Sequence, residues 1–216
     1  MKKFAVVLSG SGVFDGSEIH EATLSLLAIS QAGASYEVFA PDIAQHHVIN
    51  HLTGEEMSET RNVLVESARI ARGKIKPLSD FEAENYDCLL FPGGFGAAKN
   101  LSSFAFDGAE CLINKEVERA VKTMFNAKKP IGALCIAPTL IVRIIKGAKV
   151  TIGSDKGTAK SIKAMGGKHI STNHGEVIED PINRIFTTPC YMLDATILDI
   201  YNGASNVVKA ILSSLK

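Results

Sequence analysis

The chain has 216 residues, 46% of them apolar, and its 23 Lys and Arg are balanced by 23 Asp and Glu. That length suits a single domain, residues 1–216, with enough chain to bury a substantial core. With zero formal net charge there is no basic field to gather phosphates, and no apolar run reaches the roughly 18 residues of a membrane span, so neither nucleic acid nor membrane is an expected partner.

The first residues, Met1-Lys2-Lys3 and the apolar run after them, imitate a signal peptide, but Ser9-Gly10-Ser11-Gly12 ends the run too early. Residues 4–8 therefore read as a first strand. Short apolar runs at 36–40, 88–91, 131–134, 150–152 and 184–187 read as further strands. Helices are expected over 17–32, 61–72, 115–127, 137–146, 156–165 and 195–214, the first with Ser17 as N-cap and Gly33 as its stop. This alternation predicts an α/β fold, doubly wound around a mostly parallel central sheet. Residues 41–60 show no clear period and read as an excursion that covers a site or touches another subunit.

In such sheets, sites gather at the carboxyl ends of strands. Three loops qualify: 9–16, 92–96 and the turn at Cys135. Around Cys135 the pattern is an apolar strand, a thiol, then a helix start with Pro138 in its first turn, where a missing N–H costs nothing. A sulfur held at a helix N-terminus favours thiolate, which makes a nucleophile without a metal; the competing reading is a buried structural thiol. Pro92-Gly93-Gly94 lets backbone approach a substrate, and an N–H from that loop with the Ile136 N–H would hold a developing oxyanion. Glu18 and Glu21 lie three apart on the first helix and share a face. Glu18 suits the helix start as a simple dipole complement, whereas Glu21, a turn further in beside Leu24 and Ala28, is the better candidate for a partly buried proton carrier with a raised pKa.

Other patterns carry less. Gly10, Gly12 and Gly16 follow a strand, but the third glycine is one residue late for a dinucleotide fingerprint, so no nicotinamide or flavin cofactor is expected. His46, His47 and His51 lack placed carboxylates and read as surface, not a metal site. Cys88, Cys111, Cys135 and Cys190 have no C-x-x-C spacing, which points to neither zinc nor disulfides and fits a reducing cytoplasm. His174 is a candidate partner for a cysteine, with a surface role as the alternative, and Cys190 is read as a packed thiol near the strand ends.

Five stretches, GVFDGSEIHE (12–21), VINHLTGEEMSETRNV (48–63), PGGFGAAKNLS (92–102), CIAP (135–138) and TTPCYM (187–192), together resemble the PfpI-like, class I glutamine amidotransferase-like superfamily, and within it the ElbB-type glyoxalases. The resemblance implies a flavodoxin-like sandwich, a cofactor-free and metal-free site, and a homodimer. It also implies a weak glyoxalase III-like lyase activity on a small aldehyde, glyoxal to glycolate, with Cys135 as nucleophile and Glu21 as its acid–base partner. Gly12, Asp15, Gly93, Gly94 and Ile136 would line the substrate and oxyanion region. Relatives that cleave peptides place histidine after the cysteine, where this chain has Ile136, and no downstream His and Glu pair for amidotransfer is visible. A redox or stress-sensing cysteine protein, or an accessory protein of isoprenoid metabolism, is the alternative.

Overall fold

The computed structural model describes residues 1–215. Its central sheet has seven strands in the order β3 (Ile75–Pro77), β2 (Ser35–Ala40), β1 (Lys3–Val7), β4 (Cys88–Phe91), β5 (Ile131–Leu134), β9 (Ile185–Thr188) and β8 (Ile178–Asp180). All neighbours pair in parallel except β8, which runs antiparallel to β9 at the edge. The chain starts in the middle, winds outward to β3, then returns to β4 and winds the other way. The switch therefore falls between β1 and β4, where a crevice opens beyond the strand ends.

Helices cover both faces because the central strands are apolar on both sides. One core joins β1 and β4 to α1 (Ile19–Gln31) and α8 (Ile197–Ser214); the other lies under α5 (Lys115–Asn126) and α6 (Pro138–Ile144). Gly132, in the middle of β5, is required by this packing. A Cβ there would lie 2.5 Å from Leu90 Cδ1 and 2.9 Å from Ile211 Cδ1. The remaining elements are α2 (Val63–Ile70), α3 (Phe95–Lys99), α4 (Phe104–Asp107), α7 (Lys156–Ala164) and a separate parallel pair, β6 (Lys149–Val150) with β7 (Lys168–His169).

The α/β class, the parallel sheet and its flanking helices agree with the sequence reading. Several details differ, among them the short helices α3 and α4, which were not expected. The expected strand at 150–152 belongs to the small second sheet instead of the central one. The short strands β3 and β8 went unpredicted, each only three residues long. Ser17 does not cap α1, because its hydroxyl accepts the Ser9 N–H at 2.8 Å and meets the Ser9 hydroxyl at 3.1 Å. Glu18 takes that place, its carboxylate accepting the Glu21 N–H at 2.7 Å.

Candidate functional site

The ends of β1, β4, β5 and β9 converge on Cys135. The Cys135 N–H donates to the Thr188 carbonyl at 3.0 Å, which fixes the end of β5 against the end of β9. The chain then turns sharply, and Cys135 takes φ = +59°, a left-handed conformation that is uncommon for any residue with a Cβ. Such strain persists only where the surroundings enforce it, and it concentrates at functional sites. Here it pushes the side chain away from the sheet, with Pro138 opening α6 as the sequence suggested.

Glu21 lies against this elbow, fully buried. The Gly93 N–H donates to its Oε2 at 2.8 Å and the Tyr191 N–H to its Oε1 at 3.2 Å. A Cβ at Gly93 would collide with the Cys135 Cβ while lying 2.8 Å from Glu21 Oε2 and 3.0 Å from the Cys135 sulfur. Position 93 thus lays a bare backbone against both groups, whose side chains also hydrogen-bond to each other. At Gly94, where φ is +94°, a Cβ would lie 2.5 Å from the Gly16 carbonyl oxygen. Both glycines exist for close approach.

Burial, reinforced by the charge of Glu18, pushes the Glu21 carboxyl up to about 8 despite its two N–H donors. Glu21 is therefore a neutral acid at neutral pH. Burial and the charge of Glu21 also push the Cys135 thiol well above the ordinary range, while the N–H groups of Gly94 and Ile136, aimed at the sulfur, pull it down. The expectation of a thiolate ready at rest is thus corrected: the residue is largely buried and no cation stands among the groups that act on it, so α6, only seven residues long, does not offset desolvation. The two groups titrate as a pair. While Glu21 holds its proton, the charge opposing the thiolate is absent.

Above the sulfur is a cavity of about 400 Å³, lined by Glu18, Tyr191, Asp155 and Thr158 and by apolar side chains, among them Phe95, Phe104, Ile136 and Met192. Cys135 forms part of its floor and is 7% exposed; Glu21 is behind it and does not reach the cavity. At the rim, the Tyr191 hydroxyl is 2.8 Å from His20 Nδ1.

Of the residues singled out by sequence, Cys135, Glu21, Glu18, Gly93, Gly94 and Ile136 meet here. The Gly93 N–H, however, serves Glu21, so the donors facing the sulfur are those of Gly94 and Ile136. Gly12 and Asp15 brace the preceding loop and do not line the cavity. The Gly12 N–H donates to the Ser17 carbonyl at 2.9 Å, and the buried Asp15 carboxylate accepts the Ile49 N–H at 2.7 Å, which ties the 41–60 excursion to this loop. His174 is exposed on a turn and does not line the cavity. His46 and His47 pack with Phe106, and His51 against Phe14. Cys190 is buried, as expected for a packed thiol, but adopts φ = +43° and feels the charges of Glu21 and Cys135. Sequence reasoning missed Tyr191, whose backbone N–H carries no signal in its side chain, and the wall contributed by Phe104.

This fold, with a buried cysteine–glutamate pair at its strand ends, defines a protein of the amidotransferase-like α/β class. A model of the DJ-1/PfpI family matches residues 12–180, and the chain belongs to that family. It is 50% identical over 220 residues to the rat mitochondrial ES1 protein homolog, covering 97% of this chain and 83% of that protein. It is 48% identical to human mitochondrial glutamine amidotransferase-like class 1 domain-containing protein 3, covering 97% and 82%. Among solved structures, an isoprenoid biosynthesis protein with amidotransferase-like domain from Ehrlichia chaffeensis superposes with a TM-score of 0.94 at 39% identity, covering both chains fully. Glyoxalase III from Candida albicans shares the fold, with a TM-score of 0.63 at 15% identity over 99% of this chain and 97% of that one. The cytoplasmic assignment drawn from cysteine usage is overturned, because the full-length curated relatives are mitochondrial proteins. Unpaired cysteines report a reducing environment, which does not single out the cytoplasm.

Proposed function

We propose that this protein is a cofactor-independent enzyme of the glyoxalase III type, converting glyoxal or a related small dicarbonyl to a hydroxy acid. The observation that carries the proposal is the Cys135 elbow, strained to φ = +59° and set on the floor of a cavity against a carboxyl that holds its proton up to about pH 8. A structural thiol needs neither the strain nor the acid. A homodimer working on free small aldehydes belongs to the same proposal.

The steps follow from the residues. The Cys135 sulfur bonds to one aldehyde carbon, the carbonyl electron pair moves to oxygen, and the thiol proton passes by way of Glu21 to that oxygen, giving a hemithioacetal. The Gly94 and Ile136 N–H groups support the oxygen while it is anionic. The next step uses the ionised fraction of Glu21, whose carboxylate accepts the proton of the former aldehyde carbon, bonded to the sulfur it packs against, and returns it to the neighbouring carbon through an enediol, while the hydroxyl proton moves to the second oxygen. One carbon is oxidised and the other reduced within the substrate, so no external electron acceptor is needed. Water cleaves the resulting thioester, releasing glycolate and restoring the thiol.

Amidotransfer is not supported, since among the described residues no histidine lines the cavity to serve as its base. A redox-sensing role would use the same sulfur, but it would give the proton held by the Glu21 carboxyl no carbon or oxygen to move between. The test is glycolate formation from glyoxal by freshly reduced protein, beside Cys135→Ala and Glu21→Gln. Turnover by wild type alone supports the proposal; inactivity of all three defeats it.

A further inference from the structure

The cavity is larger and greasier than glyoxal requires. Four non-hydrogen atoms, at about 30 Å³ for each water-sized group, occupy about 120 Å³, less than a third of the 400 Å³ present. The remaining space faces Val13, Phe95, Phe104, Ile136 and Met192. Phe95 is 49% exposed, and Phe104, Ile136 and Met192 are only partly buried, packing against the core while also lining the cavity. An apolar wall around empty space next to a nucleophile is a binding surface for an apolar group.

The polar lining sets a second condition. Its only ionisable acids besides the buried pair are Glu18 and Asp155, and among the described residues no Lys, Arg or His lines the cavity. The N–H of Thr158 holds the Asp155 carboxyl below its ordinary range. A carboxylate or phosphate on the substrate would meet negative charge with no cation in the lining itself, the Lys99 ammonium lying over the Phe95 ring and donating to the Phe14 carbonyl, and a cationic substrate would have to leave water for mostly apolar walls.

We infer that the chamber takes an uncharged carbonyl compound bearing an apolar branch, such as an aryl or branched-alkyl 2-oxoaldehyde, with its aldehyde carbon at Cys135 and its branch against Phe104, Ile136 and Met192. The inference rests on the proposed carbonyl chemistry of Cys135 and names its substrate class. The steps are those already given. Sulfur adds to the aldehyde carbon, that carbon is oxidised as the adjacent ketone carbon is reduced, and water releases a 2-hydroxy acid.

The experiment compares phenylglyoxal with glyoxal by kcat/KM in wild type and Phe104→Ala. It also measures protection of Cys135 from iodoacetamide by benzaldehyde and by 4-carboxybenzaldehyde, read by mass spectrometry. Burial of a phenyl group predicts at least a tenfold preference for phenylglyoxal, a lower phenylglyoxal-to-glyoxal ratio in Phe104→Ala, and protection at tenfold lower concentration by the uncharged aldehyde. Equal or better use of glyoxal, or equal protection by the charged aldehyde, overturns the inference. If neither dicarbonyl turns over, the enzymatic proposal fails, and the protection arm decides the ligand class alone: selective protection by benzaldehyde sustains it, and equal protection or none ends it.

Discussion

Glu18 and Glu21 are the same kind of side chain, three residues apart at the start of one helix, and the fold gives them opposite environments. Glu18 caps α1 and borders the cavity. Glu21 is sealed between Gly93, Tyr191 and Cys135, where burial raises it to about 8. Spacing along a helix brings two carboxylates to one side, but the depth of each behind its neighbours decides which holds a proton. A carboxyl neutral at pH 7 beside a thiol is a proton carrier, while the one at the cavity wall contributes charge and a cap.

The comparison breaks most visibly in turnover. Cys135→Ala should abolish hydroxy-acid formation, and Glu21→Gln should lower kcat by at least about 100-fold, with circular dichroism unchanged in both. Glu18→Gln should retain most of the activity. Equal losses in Glu18→Gln and Glu21→Gln would erase the distinction between the two acids.

A second effect is on stability. The folded-state pKa of Glu21, about 8, lies above its ordinary value of 4.5, so the folded chain holds a proton that the unfolded chain releases between those values. The contribution is fully present below 4.5 and is lost as pH rises through about 8, with a slope near 1.4 kcal/mol per pH unit between them. Urea unfolding across this range should show the wild type losing stability relative to Glu21→Gln as pH rises. Parallel curves would mean that Glu21 is not protonated in the native state.

Smaller effects sharpen the same contrast. Gly93→Ala forces a methyl group between Cys135 and Glu21 and should cost about 1–3 kcal/mol by chemical denaturation. Glu18→Ala removes the α1 cap and should cost about 1 kcal/mol. Glu18→Gln keeps a capping oxygen but removes the charge that helps raise Glu21, so the pH-dependent loss of stability assigned to Glu21 should move to lower pH.

Much of this arrangement was legible in the chain. Apolar runs marked β1, β2, β4, β5 and β9, because strands covered on both faces are apolar throughout. The same property could not say which sheet Val150 joins, and β3 and β8 are too short to show a pattern. Ser17 looked like a cap by residue type, yet the cap fell to Glu18 because the Ser9 loop claims the Ser17 hydroxyl. Cys135 and Glu21 stood out as candidates by their loops and spacing, and only the family resemblance paired them. Their protonation was not legible, since it depends on burial created by β4 and the turn after β9. The cavity wall was equally hidden, because Phe104 sits on a four-residue helix with no period to read.

The central claim is that Glu21 and Cys135 titrate as one unit. The most direct measurement is the pH dependence of Cys135 alkylation, followed by mass spectrometry in wild type and Glu21→Gln, with the buried Cys88 and Cys111 as internal references. The expected result is a transition above the ordinary thiol range in wild type, displaced to lower pH in Glu21→Gln, which removes the charge opposing the thiolate. The same midpoint in both proteins would contradict the coupling and leave the thiol to titrate alone.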